Sequence, residues 1–282
     1  MGEKYPGVSK AARHSLRGVS QQVFVASGDD GMLRVFRADT LELLDSIKLD
    51  LGPNRVVYDP HTKLLYVGYG GKDAAKDYGE VGIIEAKTEK HIGDIKVDGH
   101  PGELLLDQSG KTLFVFVSAT SKVQVVDTNK REVVSTWPVS SQRNGDGAFD
   151  ERTHRLFGGT RTPPRMLVVD SQTGTEIANL ATVEGMDGVY FDAAHKRVYV
   201  SGAAIRAPGM LSRISKTTLA TAKLSGKSRQ DLEPVLPSGR RNSTVTTWPR
   251  PLTTRNRPRF SCSNQSSETL LALLKFLGRK KQ

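Results

Sequence analysis

Short apolar runs separated by turn residues fill the middle of the chain, and one of them returns at a regular interval. QVFVAS from Gln22, LLYVGY from Leu64, TLFVFV from Thr112, RLFGGT from Arg155 and RVYVSG from Arg197 share one pattern, with an aromatic at Phe24, Tyr66, Phe114, Phe157 and Tyr199. These aromatics are 42, 48, 43 and 42 residues apart. A period of that size is that of a propeller blade, a sheet of four antiparallel strands. Three further segments keep the same phase. LRVFRA, VGIIEA, VQVVDT and MLVVDS follow the aromatic strand; ELLDSIKL, HIGDIKV, EVVSTWPV and EIANLAT come next; NRVVYDP, GELLLDQ, DGAFDER and DGVYFDA lead into the following repeat. Val, Ile and aromatic residues bounded by Asp, Thr, Asn and Gly turns are the expected mark of strands. The expected fold is therefore all-β, with four to five blades of a β-propeller over residues 21–204. An irregular segment, 1–20, precedes them. A basic low-order tail, 205–282, with a short capped helix at 268–277, follows.

Strand order predicts the two faces. With the NRVVYDP-type run innermost, the turns DPHTK, DQSGK, DERTH and DAAHK share one face with DTNKRE and DSQTGTE. The opposite face collects ASGDDG, GYGGKDAAKDYGE, SATS and GTRTPPR, together with the approaches to the inner strands, LGPNR, DGHPGE, QRNGDG and EGMDG. Loops converging on a central channel are where functional residues of a propeller are expected.

The LLYVGY and RVYVSG strands, VQVVDT and the Asp-containing inner strand resemble the YVTN/YncE-like seven-bladed propellers, over about two thirds of the chain. The resemblance implies closing blades beyond those read here. It also implies a periplasmic or secreted setting, common among such bacterial proteins, and binding of a ligand or partner as the role.

Composition changes the picture mainly at the ends. The formal charge of +11 and the pI near 9.7 would suggest an anionic partner. Yet the excess of Lys and Arg lies in 1–20 and 205–282, while 21–204 hold more acidic than basic residues. Nucleic-acid binding is accordingly not expected of the blades, and a basic arm at 205–282 is a separate alternative. Cys262 is the single cysteine, which excludes an intrachain disulfide. No run approaches the roughly 18 apolar residues of a membrane span, and the first twenty residues lack the apolar core of a signal peptide. As written, the sequence predicts a cytoplasmic protein. Back-translating Arg240–Gln265, the stretch from Met210 and the segment before Gln21 in shifted frames, with suitable third bases, restores blade phase. The expectation is a frameshift between Ala203 and Met210 and another before Gln21, making the chain a truncated or frameshifted product.

At equivalent phase before the inner strands stand Asn54, His100, Asp146 and Asp187, with Arg55 and Glu103 beside them. On a closed propeller they would ring the channel mouth and suit a cation or small polar ligand; as turn residues they would instead satisfy backbone groups. Asp29 and Asp30 of SGDDG could hold a hard metal, or simply form a turn with Gly31 at positive φ. The loop Gly68–Glu80, carrying Lys72, Asp73, Lys76, Asp77 and Tyr78, is the largest irregularity in the repeat, a contact site or a solvated charged loop. GYGGKDAAK lacks the spacing and the Ser or Thr of a phosphate loop. His61, His154 and His195 fall in turns of the other face. No nucleophile elbow and no metal-spaced histidine pair occurs in 21–204, so no catalytic residue, metal or cofactor is assigned.

The expected function is a non-enzymatic ligand- or protein-binding scaffold acting through its loop face. One alternative is a lactonase-type propeller hydrolase using His100, Glu103, Asp146 or Asp187 around a metal or water. The other is nucleic-acid binding through the tail.

Overall fold

Each apolar run of the repeat becomes a strand, and each turn cluster between runs a reversal. In the computed structural model residues 16–19, 21–202 and 220–223 are described; for 16–19, 142–144, 187 and 220–223 only the backbone is. All belong to the first of two compact units, Met1–Leu232; the second, Glu233–Gln282, contains no described residue. The first blade comprises β1 (Leu16–Val19), β2 (Gln22–Ser27), β3 (Met32–Arg37) and β4 (Leu43–Lys48). The second comprises β5 (Arg55–Asp59), β6 (Leu64–Gly70), β7 (Gly79–Glu85) and β8 (Lys90–Val97). Next come β9 (Pro101–Leu106), β10 (Thr112–Val117), β11 (Lys122–Asp127) and β12 (Glu132–Pro138), then β13 (Gln142–Asp150), β14 (Arg155–Thr162), β15 (Pro164–Asp170) and β16 (Glu176–Ala181). A three-stranded sheet follows, of β17 (Met186–Asp192), β18 (Arg197–Gly202) and β19 (Ala220–Lys223). Every sheet is an antiparallel meander in chain order, and β1, β5, β9, β13 and β17 neighbour one another in that sequence as the innermost strands. The chain is all-β and carries the blades of a β-propeller.

The turns repeat as faithfully as the strands. Between the third and outermost strands one five-residue reversal recurs, closed by Leu41 N–H to Arg37 carbonyl at 2.9 Å, Glu89 to Glu85 at 2.8 Å, Arg131 to Asp127 at 2.8 Å and Gly174 to Asp170 at 2.9 Å. On the same face the inner-strand aspartates close their own turns: Asp59 accepts from the His61 N–H at 2.8 Å and Asp192 from the His195 N–H at 3.1 Å. The three turn histidines are thus placed by local geometry. His154 takes a left-handed φ of 56°, and the His61 ring reaches the Gln108 carbonyl at 2.8 Å.

Two blades meet wherever the repeated aromatic points at the following sheet. Phe24 lies in the core between the first and second blades, Tyr66 between the second and third, Phe114 between the third and fourth, and Phe157 between the fourth and fifth. The period in the sequence is the period of these interfaces. Burying each such side chain contributes roughly 1.5–3 kcal/mol. Tyr199 occupies the matching position on β18, paired with Tyr190 on β17, but belongs to none of the four cores, and Tyr190 is 64% exposed.

Two short strands fall in segments expected to be irregular. Leu16–Val19 pairs with β2, and Ala220–Lys223 pairs with β18. Ladder pairing uses backbone groups, so it tolerates side chains that break the apolar repeat, and it covers strand edges otherwise left unpaired. The expected helix at 268–277 and nearly all of the residues covered by the frameshift expectation lie outside the described set. Among the described residues no helix is long and apolar enough to cross a membrane.

Candidate functional site

The loop face holds an open cavity of about 330 Å³ at the junction of the first and second blades, lined by Asp29, Asn54, Asp73, His100 and the chain around Gly52. Four separate loops supply it. Asp29 comes from the β2–β3 turn, Asn54 from the approach to β5 and His100 from the approach to β9. Asp73 sits in a short 3-10 turn, Gly71–Ala74, within the long loop. That loop is smaller than the sequence predicts, since β6 runs on to Gly70 and β7 begins at Gly79. Two more of its residues have partners: Lys76 pairs with Asp50 at 2.7 Å and with Glu80 at 3.5 Å, and Tyr78 lies under two lysines. The ammonium groups of Lys76 and Lys96 lie 5.1 and 4.1 Å from the centre of the Tyr78 ring. The hydrogen bond to Asp50 holds the Lys76 ammonium above its ordinary pKa.

His100 is only 7% exposed. Its Nδ1 lies 2.9 Å from the Gly70 carbonyl, an acceptor only, so Nδ1 carries a proton that it donates there. In the neutral ring Nε2 is then left with its lone pair, and it is buried with no hydrogen-bond partner. Asp73 Oδ2 stands 4.0 Å from Nδ1. The glycine pair makes this approach feasible: a Cβ on Gly71, at φ 71°, would lie 2.7 Å from the His100 backbone nitrogen. Gly52 does the same for Asp73. A Cβ there would meet the Asp73 side chain at 2.9 Å, and φ is 83°. Gly52→Ala is therefore expected to cost about 1–3 kcal/mol in urea unfolding and to displace Asp73, visible as shifted amide resonances along 71–78.

The remaining candidates form a second cluster. Register shifts in β9 and β13 leave Gly102 and Gly145 as extra, unpaired residues, and both carbonyls accept from Arg55, from Nε at 3.2 Å and from Nη2 at 2.7 Å. The same guanidinium pairs with Asp146 Oδ1 and lies 3.5 Å from Glu103 Oε2. Glu103 also accepts from the Leu104 N–H at 3.0 Å and the Gly147 N–H at 3.0 Å. Burial pushes the Glu103 carboxyl upward, opposed by Arg55 and by these two N–H groups. With both oxygens engaged, Glu103 acts as a tie between inner strands.

The bulges also correct the phase read from sequence. Arg55, Glu103, Asp146 and Gly188 pair two residues beyond the repeated aromatic, opposite Gly68, Phe116, Gly159 and Ser201. Asn54, His100, Asp146 and Asp187 are thus not equivalent positions, because Gly102, Gly145 and Asp187 are inserted. Asp187 is the bulge residue of β17, and its side chain lies outside the description. Asp30 leaves the cavity set altogether: it pairs with Arg34 at 2.5 Å and accepts from the Met32 N–H at 3.2 Å, closing the DDG turn, with Gly31 at φ 71°. Among the described residues no three His, Cys, Asp or Glu side chains gather closely enough to hold a metal ion.

No family model and no curated protein matches the sequence. Solved structures do share the fold. Kuenenia stuttgartiensis hydrazine synthase superposes with a TM-score of 0.60 at 15% identity, over 78% of this chain and 65% of that one. A chain of a mitotic checkpoint complex does so with a TM-score of 0.57 at 11% identity, over 69% and 59%. The chain spans less than two thirds of the length of either, and at these identities the likeness is one of propeller fold alone.

Proposed function

We propose that this chain is a non-enzymatic binding propeller, of the YVTN/YncE-like kind its repeat resembles, which presents the loop face between its first two blades to a ligand. One observation carries the reading: Asp29, Asn54, Asp73 and His100, drawn from four loops, converge on one cavity of the loop face. Polar side chains brought together from separate loops around one cavity are the usual make-up of a small-ligand site. The hydrolase alternative gains no such support, because Arg55 and the strand backbone already occupy Glu103 and Asp146.

A thermal-shift screen of polar small molecules against the full chain tests this. Stabilising compounds are expected to lose at least about tenfold in affinity, or about 1.4 kcal/mol, on His100→Phe or Asp73→Ala. Compounds that bind these variants as well as the parent would place the site elsewhere. Steady turnover of a simple lactone, lost on His100→Phe, would favour the hydrolase.

A further inference from the structure

We propose that Lys76 latches a movable wall of the cavity between the first two blades, so that access to the cavity depends on one exposed ion pair; this rests on the binding reading above and gives that same site a control by ionic strength. The wall formed by the connector 49–54 is fixed. Its Leu49 N–H bonds the Gly31 carbonyl at 2.7 Å and its Gly52 N–H the Gly28 carbonyl at 2.9 Å, both on the β2–β3 turn. Asp50 is held in turn, its Oδ1 accepting from the Leu51 N–H at 2.8 Å. Leu51, Gly52, Pro53 and Asn54 line the cavity from this side.

The loop between β6 and β7 supplies a second wall through Asp73. It has eight residues, 71–78, where the corresponding turns of the first and third blades have four, 28–31 and 118–121. Added residues of this kind lie outside the ladders of their blade and can move without breaking them. The base of the loop is anchored: the Gly70 N–H bonds the Leu51 carbonyl at 2.8 Å, and the Gly71 N–H closes on the Tyr78 carbonyl at 2.9 Å. The tip is bonded to itself, through the Lys76 N–H to the Gly71 carbonyl at 2.9 Å and the Ala75 N–H to the Lys72 carbonyl at 3.1 Å, and so moves as one piece. Lys72, Asp73, Ala75 and Asp77 on it are exposed. Asp73 Oδ2 lies 4.0 Å from His100 Nδ1, but that nitrogen gives its proton to the Gly70 carbonyl, so His100 does not hold the tip. Lys76 does, reaching across to the fixed wall with its ammonium 2.7 Å from Asp50 Oδ2. Glu80 at 3.5 Å and the Tyr78 ring at 5.1 Å steady the same ammonium from the loop side. The Lys76 and Asp50 side chains are 32% and 34% exposed, so water and salt compete with the bond. When it breaks, the tip swings away from the connector, Asp73 leaves Gly52 and the cavity widens.

Amide NMR on the unliganded full chain at low salt tests the proposal, with the neutral nitroxide TEMPOL as the probe of access. Lys76→Met is expected to speed amide exchange across 72–77 about fivefold, as for loss of one exposed ion pair. It should also shift the amides of 51–54 and raise TEMPOL relaxation of the Gly28 and Asn54 amides at least about twofold. Lys76→Arg should restore the parent values, and roughly 0.5 M salt should move the parent towards Lys76→Met while leaving that variant as it was. Unchanged exchange in 72–77, or unchanged TEMPOL relaxation at Gly28 and Asn54, would overturn the latch. Exchange speeded equally in all five sheets would mean a general loss of stability and would overturn it too. Since no ligand is used, the two readings fail separately: if the wall moves as expected and the thermal-shift screen yields no compound, the binding reading falls and the latch stands.

Discussion

Arg55→Met is expected to destabilise the protein by about 3–5 kcal/mol, the usual consequence of removing one member of a buried charged network. The guanidinium joins β5 to the two following inner strands through Glu103, Asp146 and the carbonyls of Gly102 and Gly145. Both carboxylate side chains are only 12% exposed, so without Arg55 each is left charged and largely shut off from water. Denaturant unfolding gives the magnitude, and pH gives the cause. A carboxyl raised in the folded state contributes stability that is present below its unfolded pKa, 4.5 for Glu103, and lost as pH rises through the folded value. The deficit of Arg55→Met should accordingly be greatest at neutral pH and shrink on acidification towards 4.5, as Glu103 takes up its proton. A loss below about 1 kcal/mol that did not vary with pH would show the network to behave like an exposed ion pair.

Phe157→Ala should cost a similar amount, about 3–5 kcal/mol. Phe157 is fully buried, packs among Met166, Val168, Met186, Val189 and Val200, and stacks on Phe191 at 5.5 Å between ring centres. The surrounding sheets are held by ladder hydrogen bonds and can close only part of the resulting cavity. Tyr190→Ala provides the contrast, with a change of about 0.5 kcal/mol or less, as for an exposed site. Equal losses for the two variants would mean that the outward face of β17 and β18 is covered in solution, by a further blade or another chain.

The blades were legible because both of their determinants are local. Alternation of apolar and polar residues makes strands, and a period of forty-odd residues makes identical sheets that must stack. Even the exception is informative: the spacing of 48 between Tyr66 and Phe114 marks the loop that later supplies Asp73. Less of the site could be read. Asp29, Asn54 and His100 were identifiable as loop-face polar residues, but Asp73 stood out only as part of a charged loop. Asp30, beside Asp29 in the sequence, belongs to Arg34.

The chain's own letters determined that it is all-β, which aromatics recur with the repeat, which turns share a face and where the excess charge lies, because each is carried by the order of residue types along the chain. Tertiary structure alone decided that Gly102, Gly145 and Asp187 are bulges, that Arg55 bridges three inner strands and that His100 is buried with its Nδ1 on the Gly70 carbonyl and its Nε2 without a partner. Those outcomes depend on strand register and on contacts between different blades, and a period of side-chain types does not specify where one extra residue will be accommodated.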